Sequence, residues 1–293
     1  MQDYVLSCCS TADLSKEHFE SKGINYVYFH YYLNGKEMHD DLGQTMPFDK
    51  FYEAMKNGAD TRTSQINANE FVAAFTPFLK EGKDIVHVSL SSGISGVYNS
   101  AVIARDMLKE EFPERNVYIV DSLCASSGYG LLMDRLADLK NGGMDAEALV
   151  EKAEQLKKTV QHWFFSSDLT FFVKGGRISK TAGFFGTLLK ICPLMHVSPE
   201  GKLVPKEKHR TTKNAIKAAF DKMRQLAADG DNYSGKCYIS NSACYEDARA
   251  LADLIEDNFK SLNGKVEIMD IGTTIGSHTG PGTVALFFFS KEE

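Results

Sequence analysis

Four short stretches of this 293-residue chain concentrate groups that bind or react. The densest is SLSSGISGVYNSA, residues 89–101, where Ser91, Ser92 and Ser95 share a loop with Gly93 and Gly96. Hydroxyls, glycine-exposed amides and the start of the helix that follows all suit an anion or a carboxyl group. A capped strand-to-helix turn with no ligand uses the same residues. In TRTSQINANEF, Thr63 belongs to a Thr/Ser cluster ahead of a helix, where simple capping is the plain alternative. FFVKGGRISK sets Arg177 beside paired glycines, either an ordinary turn or a positioned guanidinium. IGSHTGPGTVALFFF puts His278 on a Gly/Pro-rich turn just before a strongly apolar strand.

Enzymatic readings of these groups are tested by spacing. Ser95, Asp270 and His278 occur in the chain order of the α/β hydrolases, with Ser95 as nucleophile and His278 as base. The nucleophile elbow requires G-x-S-x-G, however, and GISGV ends on Val97 instead of glycine. A phosphate-binding G-x-x-x-x-G-K-[ST] is absent, and GYGLLM at Gly128 fails the dinucleotide fingerprint at its third glycine. The six cysteines show no CxxC pair and no zinc spacing, so they read as reduced thiols.

The elements that must position these groups follow from periodicity. Tyr4 to Ser7 reads as a strand, and a helix opens after STADLS, with Ser10, Thr11 and Asp13 as capping candidates and Gly23 as its stop. INYVYFHYYLNGKE reads as an aromatic strand and hairpin. Helical spacing of Phe71, Val72, Phe75, Phe78 and Leu79 predicts a buried face on a helix over 69–79, capped near Asn67 or Asn69. DIVHVSL is a buried strand, followed by the serine loop and a helix carrying Val97, Ala101, Ala104 and Leu108. NVYIVDS repeats the strand signal, with helices over 125–139 and 145–159. Strands alternating with helices imply right-handed crossovers and a parallel sheet, in which ligands sit beyond the carboxyl ends of the strands.

After about residue 162 the pattern changes to WFFSSDLTFF, a short helix near 183–191, a hairpin through PLMHVSPEGKLVPKEKH, and strands at KCYIS, VEIMDIG and TVALFFF. The expectation is an α/β chain of two domains: residues 1–162 with a mainly parallel sheet, and residues 163–293 as an α+β domain. A net charge of −6 with basic residues scattered singly argues against a nucleic-acid partner. No apolar run approaches the ~20 residues that span a bilayer, so a cytoplasmic location is expected.

Taken together, TSQ at 63–65, SSGISGVYNSA at 91–101, KGGRISK at 174–180 and SHTGPGT at 277–283 resemble the signature of the bacterial DegV family. Its members include the fatty-acid-binding subunit of fatty acid kinase. Their order and approximate spacing agree over essentially the whole chain. Two positions depart from the family pattern: Cys9 stands where an Asp-Ser-Thr aspartate is usual, and Ile66 where proline commonly follows TSQ.

The resemblance implies a two-domain DegV-like fold with a long-chain fatty acid between the domains and no cofactor. It further implies that Thr63, Ser95 and His278 bind the carboxyl group, with Ser91, Ser92 and Gly93 supporting the loop. Arg177 and Arg210 match basic positions of the headgroup region or of kinase docking. Phe184, Phe185, Leu188 and Leu189 are candidate tunnel residues, and the segment around 183–186 is a candidate mobile lid opening toward a membrane surface. On this reading the chain is a non-catalytic carrier that presents the acid to a separate ATP-dependent kinase, which forms the acyl phosphate; a carrier of another lipid is the alternative.

Overall fold

The computed structural model describes residues 3–178 and 191–291. The short helix expected near 183–191, the tunnel candidates Phe184, Phe185, Leu188 and Leu189, and the expected lid lie outside or at the edge of the described residues.

In chain order the first half comprises β1 (Tyr4–Cys9), α1 (Lys16–Lys22), β2 (Ile24–Val27), β3 (His30–Leu33), β4 (Lys36–His39), α2 (Phe48–Lys56), β5 (Thr61–Ser64), α3 (Ala68–Lys80), β6 (Asp84–Ser89), α4 (Val97–Glu111), β7 (Val117–Asp121), α5 (Ser126–Asn141) and α6 (Ala146–Leu156). Strands β2, β1, β6 and β7, in that order, form a wholly parallel sheet. Every residue of β1 and β6 is buried, as expected for strands covered on both faces. The helices match their periodicity: α3 buries Phe71, Phe75 and Leu79, and α4 buries Val97, Ala101, Ala104 and Leu108. Asn67 caps α3 through a reciprocal box with Glu70.

Three local expectations are corrected. The cap of α1 is Ser15, whose hydroxyl accepts the His18 N–H at 3.1 Å, while Ser10 and Thr11 lie in a buried 3₁₀ turn and Asp13 ends it. Helix α2 has no counterpart in the sequence reading. Residues Thr61–Ser64 are the strand β5 instead of a polar lead-in to a helix. With β3 and β4, β5 forms a separate antiparallel sheet in which Thr63 pairs with Tyr31. Strand pairing overrides the weak signal of TRTS, because Tyr31 and the apolar face of α2 supply the burial.

The second half comprises β8 (Val160–Ser166), α7 (Thr170–Lys174), β9 (Cys192–Val197), β10 (Leu203–His209), α8 (Thr212–Leu226), β11 (Tyr238–Asn241), α9 (Tyr245–Asn258), β12 (Glu267–Asp270), α10 (Thr273–Thr279) and β13 (Thr283–Phe289). Its six-stranded sheet has the order β10-β9-β8-β13-β11-β12 and is antiparallel except between β11 and β12. Residue 162 falls inside β8. Helix α5 is buried along most of its length and packs against β8, β11 and β13 of this sheet. A side chain at Gly128 would bring its Cβ within 2.5 Å of both His162 and Phe287, so this close approach depends on glycine.

Candidate functional site

Residues from both halves of the chain converge on one cavity of about 400 Å³ between the serine loop, β5, α10 and the inner face of the six-stranded sheet. The serine loop connects β6 to α4. Ser91 is fully buried; its hydroxyl donates to the Gly201 carbonyl at 2.9 Å and accepts the Gly93 N–H at 3.1 Å. A Cβ on Gly93 would stand 2.5 Å from the Glu200 carbonyl oxygen. These two residues therefore clamp the loop onto the β9–β10 turn. Ser92 is exposed, and its N–H donates to Asp121 at 3.1 Å. Ser95 lines the cavity, its hydroxyl accepting the Val97 N–H at 3.3 Å and keeping its own proton for another partner.

Thr63 enters from β5 and lies 2.7 Å, Oγ1 to Nε2, from His278. His278 lies in the last turn of α10, not on a turn outside it as the glycines and proline around it suggest. The other end of α10 is held by buried Asp40, which accepts the Thr273 hydroxyl at 2.8 Å. Burial, and secondarily Arg177, pull the His278 pKa down to about 4, so the imidazole is neutral at pH 7. Its Nδ1 has no partner among the described residues and packs against Gly175.

Arg177 follows the paired glycines, with Gly176 at φ +72°. Its Nε donates to the Ile94 carbonyl at 3.2 Å and its Nη1 to the Gly175 carbonyl at 2.7 Å. Both acceptors are neutral. Among the described residues no carboxylate pairs with this half-buried guanidinium, and burial lowers its pKa. One end of the cavity is thus a cluster of hydroxyls, a neutral imidazole and an uncompensated cation. Leu90, Ile94, Phe164, Phe172, Ala285 and Phe287 make most of the remaining wall apolar.

The structure thus gathers Thr63, Ser95, His278 and Arg177, and gives Ser91 and Gly93 the role of fixing the loop. It does not bring Arg210 there, since that residue is exposed at the end of β10 and outside the cavity lining. Cys9 is also elsewhere, fully buried with its thiol pKa pushed up to about 12 by burial and its N–H donating to the Tyr129 hydroxyl at 3.0 Å. Asp270 lines a different cavity with Asp13 and Asp40. With Nε2 of His278 committed to Thr63 and Nδ1 lacking a carboxylate, the described residues assemble no Ser-His-Asp relay. Sequence reasoning did not single out Gln65, Thr283 or His162, which also line the cavity. Gln65 and Thr283 stand inside two of the quoted motifs, whereas His162 has no local signal.

A family model described as "Uncharacterised protein, DegV family" matches residues 9–291. A DegV domain-containing protein of Clostridium perfringens is 33% identical over 288 residues, covering 98% of each chain. The solved structure of a fatty-acid-binding DegV family protein from Thermus thermophilus has a TM-score of 0.86 and 26% identity, covering 99% of this chain and 100% of its own. The structure of DegV, a fatty-acid-binding protein from Bacillus subtilis, has a TM-score of 0.84 at 26% identity, with the same coverage. Among the described residues no helix is long and apolar enough to cross a membrane.

Proposed function

The chain belongs to the DegV family, and from that premise we propose that it binds a long-chain fatty acid, carboxyl group at the polar end of the cavity and chain along the apolar wall. The observation that carries this reading is the Arg177 guanidinium, half-buried without a carboxylate partner beside Thr63, Ser95 and His278. A buried charge is costly unless paired, and a ligand carboxylate supplies the missing partner. The proton of neutral His278 belongs on Nε2, donating to Thr63 Oγ1, because an orphaned N–H at Nδ1 would cost more than a bare lone pair there. The Thr63 and Ser95 hydroxyl protons are then free for the carboxylate oxygens. The acyl chain contributes about 0.8 kcal/mol per buried methylene, so chain burial supplies most of the affinity.

In the finer form of the reading, the protein takes its acid from a membrane surface in a transient contact. It then presents the carboxyl group to a separate ATP-dependent kinase as a non-catalytic subunit. The motif resemblance supports this, as does the lack of a G-x-x-x-x-G-K-[ST] phosphate loop in the sequence. Exposed Arg210 is the candidate docking contact and Arg177 the headgroup contact.

Mass spectrometry of lipid extracted from the denatured protein tests the first step, and a stoichiometric fatty acid is expected. Another stoichiometric lipid would keep the site and replace the ligand class; an empty protein that binds no added fatty acid would remove the reading. For the second step, Arg210→Ala should lower acyl phosphate formation in a reconstituted kinase assay while leaving fatty acid affinity unchanged. Undiminished formation would exclude Arg210 from docking.

A further inference from the structure

On the cavity side of the six-stranded sheet, strand registers align side chains in transverse rows. Thr283 stands opposite Ser166, and Ala285 opposite Phe164, which pairs in turn with Met195. The third row is Phe287, His162, Val197 and Leu203. Phe287 pairs with His162 and Val197 with Leu203, while His162 and Val197 are the next opposed positions after the Trp163–His196 pair. All four residues line the cavity. At ~3.3 Å per residue, this row lies ~13 Å along β13 from Thr283. The Thr283 hydroxyl donates to the Thr279 carbonyl at 3.4 Å, one residue beyond His278, so along β13 the third row is the end of the cavity remote from His278.

Beyond the row the surroundings change. Val160, two pairs further along β8, lines a separate cavity of about 510 Å³ with Lys157, Lys158, Gln161 and Ser198. His162 and Val197 line both cavities. The His162 ring is pinned: Nδ1 lies 3.2 Å from the Val160 carbonyl, and Nε2 packs against the bare backbone of Gly128. Burial keeps it neutral, its pKa lowered to about 3. A rigid uncharged ring beside a β-branched side chain stands between the apolar tunnel and this second cavity.

We propose that His162 and Val197 form the tail stop of the acyl tunnel and set the longest chain the protein accepts. This rests on the fatty-acid reading above. Up to the stop each added methylene is buried and strengthens binding roughly fourfold; beyond it the chain must bend back or break through, and the gain ceases.

The test is the affinity of a series of saturated fatty acids of increasing length, measured by displacement of a fluorescent fatty acid. In the wild type, affinity should climb with length and break at one chain. His162→Ala, and independently Val197→Ala, should move the break to longer chains, raising affinity for the first excluded acid roughly tenfold. Val197→Leu should move it to shorter ones, and since it removes no packing it keeps the test open if His162→Ala does not fold. Folded variants whose break stays at the wild-type length would overturn the stop. A wild type that binds none of the acids would overturn the fatty-acid reading and the stop with it.

Discussion

The two ends of the cavity are built in opposite ways. The polar end is assembled from loops and element termini: Ser95 before α4, Thr63 on a four-residue strand, His278 in the last turn of α10, and Arg177 after a glycine pair. The tail end is carried by strands of one sheet, where Phe164, Phe287 and Val197 belong at once to the tunnel and to the hydrophobic core. Polar groups at the first end satisfy one another only in part and are poised for a ligand. Side chains at the second are held by packing, and His162 is anchored through Nδ1 at 3.2 Å from the Val160 carbonyl while its Nε2 has no partner among the described residues. Changes at the head should therefore act on binding, and changes at the tail on stability as well as binding.

The largest expected effect is at the tail. Phe164→Ala removes a ring that is 6% exposed and stacks on Phe172, and should lower folding stability by about 3–5 kcal/mol. Chemical denaturation of the unliganded protein measures this; a loss under about 1 kcal/mol would show that the tunnel wall is separable from the core.

Acid titration compares the ends through their histidines. Burial lowers the pKa of His278 from 6.5 to about 4. Below about pH 6.5 the unfolded chain takes up a proton that the folded one refuses until about pH 4, so the stabilisation is full above 6.5 and is lost as pH falls toward 4. At ~1.4 kcal/mol per pH unit the loss is at most about 3 kcal/mol. His162, lowered to about 3, should add a loss of the same sign that continues to lower pH. His278→Gln should therefore flatten the stability profile chiefly between pH 6.5 and 4, and an unchanged slope there would mean that His278 titrates normally.

Arg177→Met separates binding from stability. It should weaken fatty acid binding by about 2 kcal/mol, roughly thirtyfold, through loss of the cation that faces the carboxylate. The unliganded protein should lose less than the binding does, because removing a half-buried charge that lacks a carboxylate partner among the described residues offsets the loss of its hydrogen bonds to the Ile94 and Gly175 carbonyls. Destabilisation of the empty protein comparable to the lost affinity would assign Arg177 a structural role.

The same contrast decides what was legible in the sequence. The polar end was readable because its constraints are local: a loop that offers hydroxyls and bare amides to a cavity needs serines and glycines within a few residues, and SSGISG supplies them. His278 was found by residue type but misplaced on a turn, since Gly276 and Gly280 flank it and α10 is only seven residues long. The β-branched and aromatic runs of β6, β7 and β13 announced their strands. TRTS did not, because its strand character comes from Tyr31 across the ladder, far away in sequence. His162 was invisible for the same reason. Its place at the end of the tunnel follows from the registers of β13 and β9 against β8 and from the bare backbone of Gly128, and none of these leaves a mark near residue 162.

Ser95→Ala gives the smallest effect and the finest discrimination. The hydroxyl makes one weak contact of its own, accepting the Val97 N–H at 3.3 Å, and Ser91 already holds the loop to the β9–β10 turn. Its loss should leave stability within about 0.5 kcal/mol, as for a partly exposed polar group outside the core. Binding should fall by about 1 kcal/mol, roughly fivefold, the worth of one hydrogen bond. The loss should be equal for short and long acids, because the hydroxyl meets the carboxyl group and not the chain. If it instead grew with chain length, Ser95 would belong to the tunnel, and the division between a polar head built from loops and an apolar tail built from strands would fail where it is drawn most sharply.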